Sequence, residues 1–178
     1  MNVETTAPAD SADAGTPAHL DPTAVTRWLE PAEQHAWRTF ITGVTALFER
    51  LDRELREQHD VSLAEYEIMV RLSEAPRRSV RMAELAASVS HSRSRTTHTV
   101  ARMERDGIVA RVACPSDGRG VMAVLTDAGW ERLVSASHTH VRGVRAHLVD
   151  VCDPADLLAL GRVFDAVHEA NTVPGHLD

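Results

Sequence analysis

Residues 85–129 read LAASVSHSRSRTTHTVARMERDGIVARVACPSDGRGVMAVLTDAG, and the reading of this stretch decides the fold. Its first half, His91 to Asp106, has helical periodicity. Thr96, Val100, Met103 and Gly107 fall at i, i+4, i+7 and i+11, so they form one buried face. Gly107 also stands where a helix needs a left-handed residue to end. The outer side carries Arg93, Ser94, Arg95, Thr97, His98 and Arg102, all basic or small and hydroxylated. Such a face suits the major groove of duplex DNA. Arginine pairs with guanine through two hydrogen bonds, hydroxyls and imidazole reach base edges or phosphates, and a threonine methyl can touch thymine. Met82 to Ser88 reads as a shorter preceding helix, with Met82, Leu85 and Ala86 inward, and Val89-Ser90 as a tight turn. Together they predict a helix-turn-helix whose second helix reads from its N-terminal half, where free N–H groups also favour a phosphate.

The second half predicts a β-hairpin. Ile108 to Ala113 and Val121 to Leu125 are β-rich runs around the turn-forming Pro115-Ser116-Asp117-Gly118-Arg119-Gly120. Arg119 stands at the tip between glycines, and an arginine so placed can enter a narrow minor groove. Asp117 can direct its guanidinium. The same residues would equally make an ordinary surface hairpin with a local Asp–Arg pair.

Outward from this centre the chain is helical. Ser62-Leu63-Ala64-Glu65 is a capping box opening a helix with Leu63, Tyr66, Ile68, Met69 and Leu72 inward, stopped by Pro76. Pro31 opens a long amphipathic helix whose stripe is Trp37, Phe40, Ile41, Val44, Leu47, Phe48, Leu51 and Leu55. At about 40 Å it is too long for one small lobe, and it predicts a second long helix as partner, from another subunit. Thr126 caps a further long helix with Trp130, Leu133, Val134, Val141, Val144 and Leu148 periodic. Asp153-Pro154 opens the last, carrying Leu157, Leu158, Leu160, Val163, Phe164 and Val167. Residues 1–20 are Ala-, Thr-, Asp- and Pro-rich and are expected to be disordered. Asp21-Pro22 predicts a short helical turn that carries Trp28 and Leu29 toward the body.

Composition is that of a globular chain, 43% apolar and 25% charged. The net charge of −7 is unevenly spread. Residues 77–119 hold nine arginines against four acids, a local +5, which leaves −12 for the rest. A basic middle in an acidic chain suits a local anionic partner, although a solvated arginine face would look the same. No apolar run is long enough to span a bilayer, and the first ten residues do not resemble a secretory signal. Cys114 and Cys152 are the two cysteines, which points to reduced thiols in the cytoplasm. No phosphate-cradling glycine loop or nucleophile–histidine–acid pattern supports an enzyme, and no cofactor is indicated. His138 and His140, two apart on a helix with His147 further on, diverge too much for a good chelate, so no metal site is expected.

The run Leu85-Ala86, Arg93-Ser94, Arg102-Met103-Glu104-Arg105-Asp106-Gly107-Ile108-Val109, Asp117-Gly118-Arg119-Gly120 and Leu125-Thr126-Asp127-Ala128-Gly129 resembles the signature of the MarR (multiple antibiotic resistance regulator) family. The Asp-x-Arg wing and the Leu-Thr-x-x-Gly helix opening stand at matching separation. The resemblance covers residues 31–170. It implies a mainly α winged helix-turn-helix, with a DNA-binding lobe over 62–125 and dimerisation helices over 31–57 and 127–170. It further implies a homodimer that binds a pseudo-palindromic operator as a transcriptional regulator, most often a ligand-responsive repressor. By position, Ser94, Arg95, Thr97 and His98 match the family's reading contacts, and Asp117 and Arg119 its wing pair. Arg95 departs from the smaller residue common there. The Arg-Gly after the wing Asp-Gly, with Trp37 near the start of the first long helix, suggests an actinobacterial-type subgroup. The family's effector pocket would involve Trp37, Tyr66 and Arg71, residues that serve equally well in packing. Two alternatives stay open: redox control through Cys114, and a winged-helix protein-interaction module without DNA binding.

Overall fold

The computed structural model describes residues 25–88, 93–114 and 117–171, without the side chains of 93 and 117–119. The tail expected over 1–20, the turn at Asp21-Pro22, the Val89-Ser90 turn and the start of the reading helix lie outside these residues. The chain divides into two units, residues 1–38 and 39–178. In the first, residues 25–30 have no regular structure, and Trp28 and Leu29 are exposed rather than carried inward. A stretch without helical or strand periodicity offers no shared face on which to bury them. Pro31 then opens helix α1 (Pro31–His59), which ends in the second unit.

The second unit is built on α2 (Leu63–Glu74), α3 (Met82–Ser88), α4 (Arg93–Arg105), α5 (Asp127–His147) and α6 (Pro154–Asn171), with strands β1 (Ser79–Arg81), β2 (Val109–Cys114) and β3 (Asp117–Leu125). The strands make one antiparallel sheet in the order β1-β3-β2. The predicted capping box is present: Ser62 accepts from the Glu65 N–H, and Glu65 accepts from the Ser62 N–H at 2.8 Å. Ala75 ends α2 ahead of Pro76, as the proline requires. The core joins Ile68, Met69 and Leu72 of α2, Leu85 of α3, Val100 and Met103 of α4, Val109 and Ala123 of the sheet, and Leu133 of α5. Truncating a fully buried leucine such as Leu85 to alanine would cost about 2–5 kcal/mol.

Four expectations are corrected. Strand β1 was not foreseen, because three residues, Ser-Val-Arg, are too short to show alternation. Strand β3 starts at Asp117 rather than Val121, since glycine backbone pairs across a ladder as well as any other. Cys114 pairs with Asp117 after a register shift at Ala113/Cys114. Gly107 is exposed rather than part of the buried face of α4. It has φ +72°, with the Gly107 N–H bonded to the Glu104 carbonyl and the Ile108 N–H to the Met103 carbonyl, a Schellman end. On α5, Trp130, Val134 and Val141 are exposed, and the inward face is Gly129, Leu133, Ala136, Thr139 and Gly143. Helix α5 therefore has two apolar stripes, and only the one rich in small residues approaches the core. Among the described residues, no helix is long and apolar enough to cross a membrane.

Candidate nucleic-acid interface

Helix α4 is buried on one face and exposed to solvent on the other. Thr96, Val100 and Met103 are fully buried, while Ser94, Arg95, Thr97 and His98 are exposed together on the opposite face. The division follows from helical spacing, so the residues singled out for reading do share one surface in the N-terminal half of α4. The side chains of Arg93, Asp117 and Arg119 lie outside the described residues, although Asp117 and Arg119 belong to β3 and Arg93 begins α4.

Arg102 is placed differently. Its Nε and Nη2 both donate to Glu65 Oε1 at 2.8 Å, and Nη2 also reaches Ser62 Oγ at 3.3 Å. The guanidinium is thus drawn toward the start of α2. Glu65, which appeared in the sequence only as a capping residue, is buried at 5% exposure and so calls for a counter-charge. Asp52 of α1 reaches the same corner. Its Oδ1 accepts from the Leu63 N–H at 2.8 Å and its Oδ2 from Arg56 Nε at 2.6 Å. Burial raises the Asp52 pKa, but the bonds from Arg56 and Leu63 outweigh it and leave the carboxyl below its usual range. Where α1, α2 and α4 meet, a groove of about 850 Å³ is lined by Phe48, Asp52 and Arg56, by Leu63, and by Arg95, His98 and Arg102. Sequence periodicity had no means of showing this groove, because its walls come from three separate elements.

The residues expected around an effector do not form one patch within the second unit. Tyr66 is buried, with its ring 4.4 Å from that of His140. Arg71 is exposed and faces Glu74 at 3.7 Å. Trp37 belongs to the first unit and is exposed. The histidines go to separate places: His138 is exposed, His140 packs on Tyr66, and His147 bonds Glu54 Oε1 at 2.9 Å. Cys114 is buried and Cys152 partly so. Arg111 pairs with Glu104 at 2.6 Å across the end of α4, holding the base of the hairpin.

A short helix, a second helix with one polar, basic face, and a β-hairpin beside them define a winged helix-turn-helix protein. The MarR family profile matches residues 61–121. A MarR family transcriptional regulator from Streptomyces coelicolor, solved in complex with DNA, is 40% identical; the match covers 84% of this chain and 94% of that one, with a TM-score of 0.80. AbsC, another MarR family regulator from Streptomyces coelicolor, is 37% identical over 82% of this chain and 97% of its own, with a TM-score of 0.76. The organohalide-sensing regulator RdhR, in its 2,4-dichlorophenol-bound form, shares the fold at 15% identity, with a TM-score of 0.71 over 86% of this chain and 89% of its own. No curated protein sequence matches. The chain belongs to the MarR family.

Proposed function

We propose that this protein is a transcriptional regulator that binds a pseudo-palindromic operator as a homodimer. The observation that carries the reading is the exposed Ser94, Arg95, Thr97 and His98 surface above a fully buried Thr96, Val100 and Met103. Its support is the 40% identity to a regulator solved with DNA. Ser94, Arg95, Thr97 and His98 read base edges in the major groove, Arg93 serves the N-terminal phosphate position, and Asp117 and Arg119 form the wing contact. The lobe over 62–125 carries these contacts, and the helices over 31–57 and 127–170 pair two copies. Arg102 leaves the contact set, since Glu65 holds its guanidinium.

Selection from random duplexes tests this. The enriched site should be a pseudo-palindrome with half-sites about one helical turn apart, bound with an affinity that falls steeply with salt. Arg95→Ala should lose about 1–3 kcal/mol and relax one position of each half-site. Failure to enrich any duplex would sink the reading and favour a protein-interaction module.

Control by a small apolar or aromatic effector, acting as release of a repressor, is the finer part of the proposal. The dichlorophenol-bound relative is a precedent for the fold holding such a molecule. The contacts proposed for it are those the family resemblance implies, Trp37, Tyr66 and Arg71. Release of operator by a phenol or aromatic acid, with a change in tryptophan fluorescence, is the expected result. Burial of Cys114 weighs against oxidation as the signal, because a shielded thiol is a poor nucleophile.

A further inference from the structure

We propose that Arg102 is a positioning residue: it ties the reading helix α4 to the capped start of α2, to which α1 is tied as well, and so sets the pitch of α4 without touching nucleic acid. The proposal rests on the DNA-binding reading above.

The corner is a chain of committed groups. Glu65 Oε2 accepts from the Ser62 N–H at 2.8 Å and from Ser62 Oγ at 2.7 Å, which completes the capping box. Its second oxygen, Oε1, is the one that takes both nitrogens of the Arg102 fork. Ser62 Oγ in turn accepts from the Glu65 N–H at 3.2 Å. The Leu63 N–H, another unsatisfied donor of the first turn, is taken by Asp52 of α1. Three helices therefore meet at one cap, each through a charged side chain. Arg102 lies in the last turn of α4. The reading residues begin at Ser94, roughly 12 Å up the helix at 1.5 Å per residue. A small rotation at the anchored end is magnified at the end that reads bases.

The geometry separates this role from a phosphate contact. Glu65 is buried and cannot reach a duplex. Removing an acid near a polyanion should strengthen binding if charge alone mattered. The anchor reading expects the reverse, because Arg102 loses its direction. Glu65→Gln is the informative variant: glutamine also completes a capping box, so the start of α2 survives while the charge that aims Arg102 is lost.

The experiment uses the full chain and the duplex enriched by selection. Glu65→Gln and Arg102→Gln should each weaken binding by about tenfold, and the double variant should be no worse than either alone, as for two members of one network. The salt slope should be unchanged. Selection repeated with Glu65→Gln should show relaxed preference at the positions read by Ser94 to His98, which mere loss of stability would not produce. In the free protein, amide exchange of α4 should rise in both variants. The proposal is overturned if Glu65→Gln binds as well as or better than the wild type while Arg102→Gln lowers the salt slope by about one, the mark of a phosphate contact. If the wild type itself enriches no duplex, the DNA-binding reading fails and amide exchange decides alone: raised exchange supports the anchor, and unchanged exchange overturns it.

Discussion

At the residue scale, the Leu-Thr-x-x-Gly opening of α5 has a mechanical explanation. Thr126 accepts from the Gly129 N–H at 3.0 Å and donates to the Gly107 carbonyl at 2.7 Å, so one hydroxyl joins the end of α4 to the start of α5. Gly129 is needed because a Cβ there would run into the Ile108 carbonyl oxygen and lie 2.7 Å from Leu125 Cδ1. Gly107 is needed for a different reason: space is open around it, but its φ of +72° is strained for a residue with a Cβ. The two alanine variants should differ accordingly. Gly107→Ala should lose about 1 kcal/mol, the ordinary cost of a left-handed conformation. Gly129→Ala should lose more, about 1–3 kcal/mol or beyond, because backbone has to move. Urea unfolding of both checks the order, and a Gly129→Ala protein as stable as the wild type would refute the close approach. The need for Gly107 was legible, since a glycine after a helical run is a stop signal. The need for Gly129 was legible only as part of a family motif.

At the element scale, α1, α2 and α5 are joined by two histidines, His59 and His140. His59 Nε2 is 2.8 Å from Thr139 Oγ1, with Arg132 donating to the His59 carbonyl at 2.9 Å. His140 packs on Tyr66, and its Nδ1 is buried without a hydrogen-bond partner among the described residues. Burial lowers the pKa of both imidazoles, and Arg132 and Arg142 add to the effect at His59. Both therefore favour the neutral form when folded. Stability is full above the unfolded imidazole value of about 6.5 and is lost as pH falls below it toward the folded values. Urea midpoints should drop as pH falls below about 6.5. His140→Phe keeps a ring against Tyr66 but cannot titrate, so the drop should shrink; an equally steep drop in this variant would remove His140 as a cause. The close approach of α5 to α1 follows from Gly143, where a Cβ would come 2.8 Å from Leu51 Cδ2.

At the scale of the whole molecule, the apolar surface left uncovered is concentrated on the terminal helices. On α6, Leu158, Val163 and Val167 are 67%, 56% and 47% exposed, although Phe164 stacks 5.2 Å from Phe40 of α1. On α5, Val134 and Val141 add to it, while the Trp130 ring is covered by the Arg78 guanidinium at 4.3 Å. Exposed apolar stripes are the surface that the proposed homodimer would bury. Val163→Glu with Val167→Glu should convert the protein to a monomer in sedimentation velocity. Operator affinity should collapse with it, because one half-site alone contributes too little. A dimer that persisted in this variant would move the interface elsewhere. Deleting residues 153–178 should have the same outcome.

The order of the helices and the hairpin, the capping box at Ser62, the stop at Pro76, the buried face Thr96, Val100 and Met103, and the surface of Ser94, Arg95, Thr97 and His98 were determined by sequence alone. Each depends on interactions within a few residues, where helical periodicity and cap chemistry operate. Tertiary structure alone decided the rest. Arg95 and Arg102 look equivalent as exposed arginines on one helix, seven residues apart. Only the fold shows that Arg102 reaches Glu65, buried one helix away, since a carboxylate out of water must be paired. Likewise the two apolar stripes of α5 are alike in periodicity. Only packing decides that the one with Gly129, Ala136 and Gly143 meets the core, since small residues let backbones approach while Trp130 and Val141 are left outside.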